Sequence, residues 1–285
     1  MNKFSYVFGD KIIENDKGKF FITPKCNDKN KIFEYLEQKK FPYFLPVIYD
    51  SSRHYEMYPY IEENKLVEDK AIDFVHILSL LHIKTTTYRE VVLDDVEKLY
   101  QSLSKKIEKK AHDYQVLQNQ FEQHVYMSPD EYLFMRNINL FYDSLNMARM
   151  YLEEWKSLKE NNSQERVVFL HGKPSLSSFI DIDNPYFIHW DLSHKGYVIY
   201  DFLFFYQTDF DVVEMESLFQ IYQTKYPFMQ DEMYLFYCYL LLGKDFDFSH
   251  SYYENTLIIQ KMIQYLEKTR EFVLKQNQKD QETNE

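Results

Sequence analysis

Val167 to Tyr206 reads VVFLHGKPSLSSFIDIDNPYFIHWDLSHKGYVIYDFLFFY, and this stretch decides how the rest of the chain is understood. Val167 to Leu170 is a short apolar run, Ser178 to Ile182 alternates apolar with polar, and Asp183-Asn184-Pro185 is turn chemistry. Tyr186 to Leu192 is a further strand candidate, so the order is strand, polar loop, hairpin. The serines of the loop, Ser175, Ser177 and Ser178, lack the Gly-x-Ser-x-Gly setting of a nucleophile elbow. His171, His189 and His194 lie on different local elements without metal-ligand spacing, so no metal site is expected from them.

The frame His171-Gly172-Lys173-Pro174-Ser175, then Ser178, then Ile188-His189-Trp190-Asp191, then Tyr200-Asp201-Phe202 resembles the catalytic core of the aminoglycoside phosphotransferase and choline kinase superfamily. That kinase-like fold also includes spore-coat-associated kinase-like proteins. The family pattern runs His-Gly-Asp-Leu-His, two spacers, Asn, a hairpin, Ile-Asp-Trp-Asp and, further on, Tyr-Asp-Leu. The resemblance implies an α+β, two-lobed protein-kinase-like fold, with a small antiparallel β lobe and a large helical lobe that carries a helical insertion. Specific motif support is confined to residues 167–206.

The frame is kept while the chemistry departs from it. Phosphoryl transfer needs metal ions clamped to nucleotide phosphates by oxygen ligands, plus a group that orients or deprotonates the attacking hydroxyl. The family positions for those tasks hold Lys173, Ser178 and His189 here. A protonated lysine is no base and repels a divalent ion, a serine hydroxyl is a poor replacement for an amide oxygen, and histidine prefers softer metals than magnesium. His171 and Trp190 suit packing. Asp201 matches an acid that braces the loop through hydrogen bonds to its backbone, a role that outlives catalysis. A salt bridge from Lys173 to Asp181, Asp191 or Asp201, replacing the charge of a missing metal, is a further expectation.

Residues 1–62 read as a β-rich lobe with one helix. Phe4 to Phe8, Lys11 to Glu14, Lys19 to Pro24, Phe44 to Asp50 and His54 to Ile61 are strand candidates, and Lys29 to Lys40 has a helical apolar face. Gly9 and Gly18 are isolated, so no glycine-rich phosphate loop is present. Under the resemblance, Lys25 and Glu34 or Glu37 stand near the nucleotide-contact pair, and Met57 to Glu62 is the hinge. The bland reading of all three side chains is an exposed charge on a strand end or helix.

Residues 63–273 read as a mostly helical lobe containing 167–206, followed by a polar tail, 274–285, expected to be frayed. Val67, Ala71, Phe74, Leu78 and Leu81 share one helix face, and His82 in the same helix reads as a packed histidine. Asp94 to Val125 and Tyr132 to Leu158 read as two long helices, the second opened by the cap signal Ser128-Pro129-Asp130-Glu131. Val212 to Thr224, Gln230 to Leu242 and Tyr252 to Val273 follow. Met233 to Leu242 is apolar almost all round, which predicts burial.

Composition narrows the class. With 26 Tyr and 24 Phe the interior should be aromatic, and a net charge of −12 argues against nucleic-acid or anionic-membrane binding. Cys26 and Cys238 suit a reducing compartment, and no run is apolar enough to span a bilayer, so a cytoplasmic location is expected, with the spore coat as the variant the resemblance adds. The combined expectation is a pseudokinase that binds protein partners, without cofactor. ATP and magnesium enter only in the alternative, an atypical small-molecule phosphotransferase in which Asp181, Asp183 or Asp191 takes over metal binding.

Overall fold

The computed structural model describes all residues except 1–2, 8–9, 16–17, 25–29, 46–48, 51–54, 60–64, 182–183, 246–247, 249 and 285. Lys25, Cys26, Asp183 and the end of the expected hinge therefore lie outside the described residues. The chain forms two compact units, Met1–Thr87 with Arg166–Pro227, and Tyr88–Glu165 with Phe228–Glu285.

The first unit opens with a five-stranded antiparallel sheet. β1 (Lys3–Val7), β2 (Asp10–Asn15), β3 (Gly18–Pro24), β4 (Tyr49–Asp50) and β5 (Tyr55–Pro59) lie in the order β1-β2-β3-β5-β4. Their register pairs Phe20 with Ile13 across one neighbour and with Pro59 across the other. α1 (Asn30–Gln38) buries Leu36 and leaves Glu34 exposed. Of the strand expected over Phe44 to Asp50, residues 46–48 lie outside the described residues; Tyr49–Asp50 form β4, and Phe44 makes an isolated parallel bridge to Phe187.

α2 (Val67–Thr85) is the beam on which the polar loop is built. Its apolar positions recur every three or four residues, so Ala71, Phe74, Leu78 and Leu81 are buried along one side. The fully buried Phe74 ring lies 5.5 Å from Phe179, 5.3 Å from Phe187 and 4.4 Å from Phe205. Those rings belong to β8 (Phe179–Ile180), β9 (Tyr186–Phe187) and α6 (Ile199–Asp209), so one side chain ties the hairpin and the following helix to α2. β10 (His194–Gly196) runs antiparallel to β7 (Gln164–Leu170), pairing His194 with Leu170, and α7 (Met215–Lys225) ends the unit. β6 (Thr87–Glu90) and β10 carry too few residues to show a periodicity.

The second unit is helical: α3 (Leu93–Phe121), α4 (Pro129–Arg136), α5 (Ile138–Asn161), α8 (Gln230–Leu242) and α9 (Tyr252–Asn284). The expected continuous helix over Tyr132 to Leu158 is broken at Asn137, whose backbone sits at φ −109°, ψ 12°. Its side-chain amide donates to the Leu133 carbonyl at 2.8 Å, competing with the helical ladder at that point. At the cap, the Ser128 N–H donates to the Glu131 carboxylate at 2.9 Å. The tail also differs from expectation: α9 runs to Asn284, with Gln276 buried and the Asn277 amide donating to the Tyr151 hydroxyl. No helix among the described residues is long and apolar enough to cross a membrane.

Candidate functional site

β7 delivers its last residue, Leu170, to a tight loop that begins with His171 and Gly172. Gly172 has φ +96°, and a Cβ there would come 2.4 Å from the Leu192 carbonyl oxygen, so only glycine fits between the loop and the turn it faces. The Asp201 carboxylate, fully buried in the first turn of α6, accepts the His171 N–H at 2.8 Å and the Gly172 N–H at 2.9 Å. His82 Nε2 lies 3.1 Å from the same carboxylate, and His82 Nδ1 lies 2.6 Å from the Tyr222 hydroxyl. A buried carboxylate is sustained only by such donors. α2, the loop, α6 and α7 are therefore joined through one polar cluster beneath the loop.

The His171 ring packs 4.7 Å from Trp190 and 5.0 Å from Phe187, and its Nε2–H donates to the Ile188 carbonyl at 2.7 Å. Burial holds its pKa down to about 4, so the ring is neutral at physiological pH, and its buried Nδ1 has no hydrogen-bond partner. The Trp190 indole N–H donates to the Phe187 carbonyl at 3.0 Å. Both side chains act as packing around the loop.

The strand expected over Tyr186 to Leu192 ends at Phe187, because His189 adopts the left-handed conformation, φ 65° and ψ 50°, and Trp190–Leu192 turns as a 3-10 helix. That backbone is uncommon for any residue with a Cβ and marks a strained position. His189 and Asp191 are both half-buried there, next to His171 in the electrostatics of the site.

Ser178 is 4% exposed and turned into its own loop. Its hydroxyl donates to the Ser175 carbonyl and accepts the Ser175 N–H, each at 2.9 Å. Lys173 is exposed, and among the described residues its ammonium makes no ion pair, so the expected bridge to Asp181, Asp191 or Asp201 is not formed. The counter-charge comes from Lys65, just ahead of α2, whose ammonium lies 2.7 Å from Asp181 and 2.9 Å from Asp73. The Asp181 side chain is wholly buried, and desolvation raises its pKa against the opposing pull of Lys65. Sequence reasoning missed Lys65, since nothing local distinguishes it from any surface lysine.

These donors do not fit a magnesium–nucleotide centre. Lys173 offers charge of the wrong sign, Ser178 spends its hydroxyl on its own turn, and Asp181 is engaged by an ammonium. Among the described residues no group of three His, Cys, Asp or Glu side chains could hold a metal ion. Beside the loop, Leu45 and Tyr58 form a small buried cluster against which Ile180, Tyr186 and Ile188 pack. The Phe187 N–H donates to the Tyr43 carbonyl at 2.9 Å, which holds residues 43–45 along the hairpin.

No family model and no curated protein matches the sequence. Solved structures do resemble the chain. An aminoglycoside phosphotransferase from Alicyclobacillus acidocaldarius aligns with a TM-score of 0.67 at 10% identity, over 97% of this chain and 92% of that one. The AMP-bound spectinomycin phosphotransferase aligns at 0.55 and 11% identity over 96% and 89% of the two chains. A glucosamine kinase in complex with glucosamine, ADP and inorganic phosphate aligns at 0.50 and 7% identity, over 98% and 83%. At such identities the likeness speaks for architecture alone: the chain has the α+β, two-lobed protein-kinase-like fold of the aminoglycoside phosphotransferases.

Proposed function

We propose that this chain is a catalytically impaired phosphotransferase-like protein, a pseudokinase, that acts by binding other proteins. One observation carries the reading: at the position where the fold's chemistry needs a carboxylate, Lys173 extends into solvent, while Ser178 is consumed by its own turn. In this reading Lys173, Ser178, His189, His171 and Asp191 mark a degenerate site, and Asp201 is the structural brace that keeps its frame. Lys25 and Glu34 are remnants of a nucleotide contact. Residues 1–62 form the small lobe, 63–273 the helical lobe, and 274–285 a polar end. The resemblance to spore-coat-associated kinase-like proteins adds the coat as a place of action.

Calorimetry and thermal shift with ATP, with and without magnesium or manganese, test this. The expected result is no metal-dependent binding and no phosphate transfer. Tight metal-dependent ATP binding, with transfer lost in Asp191→Ala, would overturn it. A second reading is favoured by the names of the solved neighbours, which are phosphotransferases and a kinase. It makes the chain an ATP- and magnesium-dependent enzyme for a small hydroxyl or amine substrate, with Asp181, Asp183 or Asp191 taking over metal binding, and through Asp181 it requires Lys65 to release that carboxylate. Crosslinking in the native cell identifies the partner in the first reading.

A further inference from the structure

We propose that the helical second unit carries a binding site for a small organic anion, a carboxylate with an apolar body, in the cavity that α3 lines together with Asp245 and Phe248. The site uses no residue of 167–206 and is independent of the pseudokinase reading.

The cavity has a volume of about 340 Å³, room for a compact ligand rather than a few waters, and Lys110, Tyr114, Leu117, Asp245 and Phe248 are among its walls. Its chemistry is two-sided. Tyr114, Leu117 and Phe248 give an apolar wall, and Tyr114 is itself 5% exposed. Beside them on the same side of α3, one turn before Tyr114, is Lys110, a lysine only 4% exposed, whose ammonium donates to Asp245 at 2.7 Å and to the Lys244 carbonyl at 2.9 Å. An ammonium has three N–H bonds, so one donor remains after these two.

The partner chosen for this buried charge is unusual. Asp245 keeps 75% of its side chain exposed while it reaches in to Lys110, which is 5% exposed. An exposed carboxylate costs little to swing back into water, whereas the buried ammonium cannot be left without an anion. Asp245 thus acts as a displaceable stand-in for an incoming carboxylate. Lys106 also lies close enough to act on both Asp245 and Lys110, and Lys109 lines the cavity. With Asp245 turned outward, Lys110 keeps Lys106 and Lys109 in its neighbourhood and Asp113 as the remaining carboxylate among the described lining residues. An anion fits the lysines and an apolar body fits the aromatic wall, which selects a hydrophobic carboxylate over a bare inorganic ion.

The test uses the full chain with benzoate as probe and benzamide as its neutral isostere, read by ligand-observed NMR and thermal shift in sulfate-free buffer. Benzoate should bind saturably and benzamide at least about tenfold more weakly, the scale of one charge pair. Asp245→Asn should tighten benzoate by several-fold to about tenfold and enlarge its thermal shift, because the competing carboxylate is gone. Lys110→Met should lose binding; if that variant does not fold, Asp245→Asn decides alone. Absence of saturable benzoate binding, equal affinity for benzamide, or unchanged or weaker binding in Asp245→Asn would each overturn the proposal.

Discussion

Asp201 concentrates more structure than any other side chain near the loop. Its two oxygens answer two backbone N–H groups and one imidazole, in full burial. Asp201→Ala should therefore cost on the order of 3–5 kcal/mol, because three donors lose a charged acceptor at once. Asp201→Asn should cost less, since one carbonyl oxygen remains. Urea unfolding of both variants measures this, and a loss below about 1 kcal/mol for Asp201→Ala would contradict it. His171 gives a pH signature of the same sign as a paired carboxylate, but from burial of a neutral ring and at higher pH. Its folded pKa, about 4, lies below the unfolded value. The unfolded chain therefore takes up the proton first, and stability falls as pH drops from roughly 6.5 to about 4, by about 3 kcal/mol in all. Wild type and His171→Gln compared across that window should differ in slope, and parallel curves would contradict the assignment. Of these residues, the identities and the loop they frame were readable from the chain, because His-Gly and Tyr-Asp stand at recognisable spacings. The Asp201–His82 contact was not, because the residues are 119 positions apart.

Between elements, the second unit is held by rings and by one buried charge cluster. Tyr114, Phe121, Phe134, Phe141 and Phe248 stack or meet edge to face, with Phe134 and Phe141 only 5.2 Å apart. Near the end of α5, Lys159 is 3% exposed and bridges Glu165 at 3.1 Å and Asp231, in the first turn of α8, at 2.8 Å. Lys159→Met should destabilise by roughly 3–5 kcal/mol, since it takes the ammonium from the buried Asp231 carboxylate and leaves Glu165 to Arg89. Adding Glu165→Gln and Asp231→Asn to that variant should recover part of the loss. Chemical denaturation of the single and triple variants checks both, and failure of the triple to recover would remove the charge-pairing explanation. Periodicity made α2, α3, α8 and most of α9 legible, since each has a wide apolar face. It could not show the break at Asn137, where apolar residues continue on both sides and a single side-chain hydrogen bond ends the helix. Nor could it show that His189 stops a strand by taking φ 65°.

Each unit is stitched from two separated stretches of chain, 1–87 with 166–227 and 88–165 with 228–285. In the second unit the packing of Tyr151 on Tyr237, with rings 5.1 Å apart, joins α5 to α8 across more than eighty positions of sequence. Neither unit can bury its core until its later stretch exists, and each must close a long loop before that burial is gained. A chain ending at Glu165 should therefore lack a cooperative unfolding transition by calorimetry, and a sharp transition in that fragment would show that one unit needs less than both its stretches. At the same level, the triple substitution Lys173→Asp, Ser178→Asn, His189→Asp should give a magnesium-dependent thermal shift with ATP that the unsubstituted chain lacks, and no such gain would contradict the reading of the loop frame as a former nucleotide site.

The sequence alone determined the helix faces, the aromatic interior and the spacing of the loop frame, because each is a matter of residue type and local spacing. Tertiary structure alone decided which charges meet. Lys65 reaches Asp181 across 116 positions and His82 reaches Tyr222 across 140, while Lys173, placed in sequence beside the carboxylates, turns to solvent. Spacing in a chain encodes which face a side chain takes on its own element; its partner is set by how elements fold onto one another, and burial then makes that pairing obligatory.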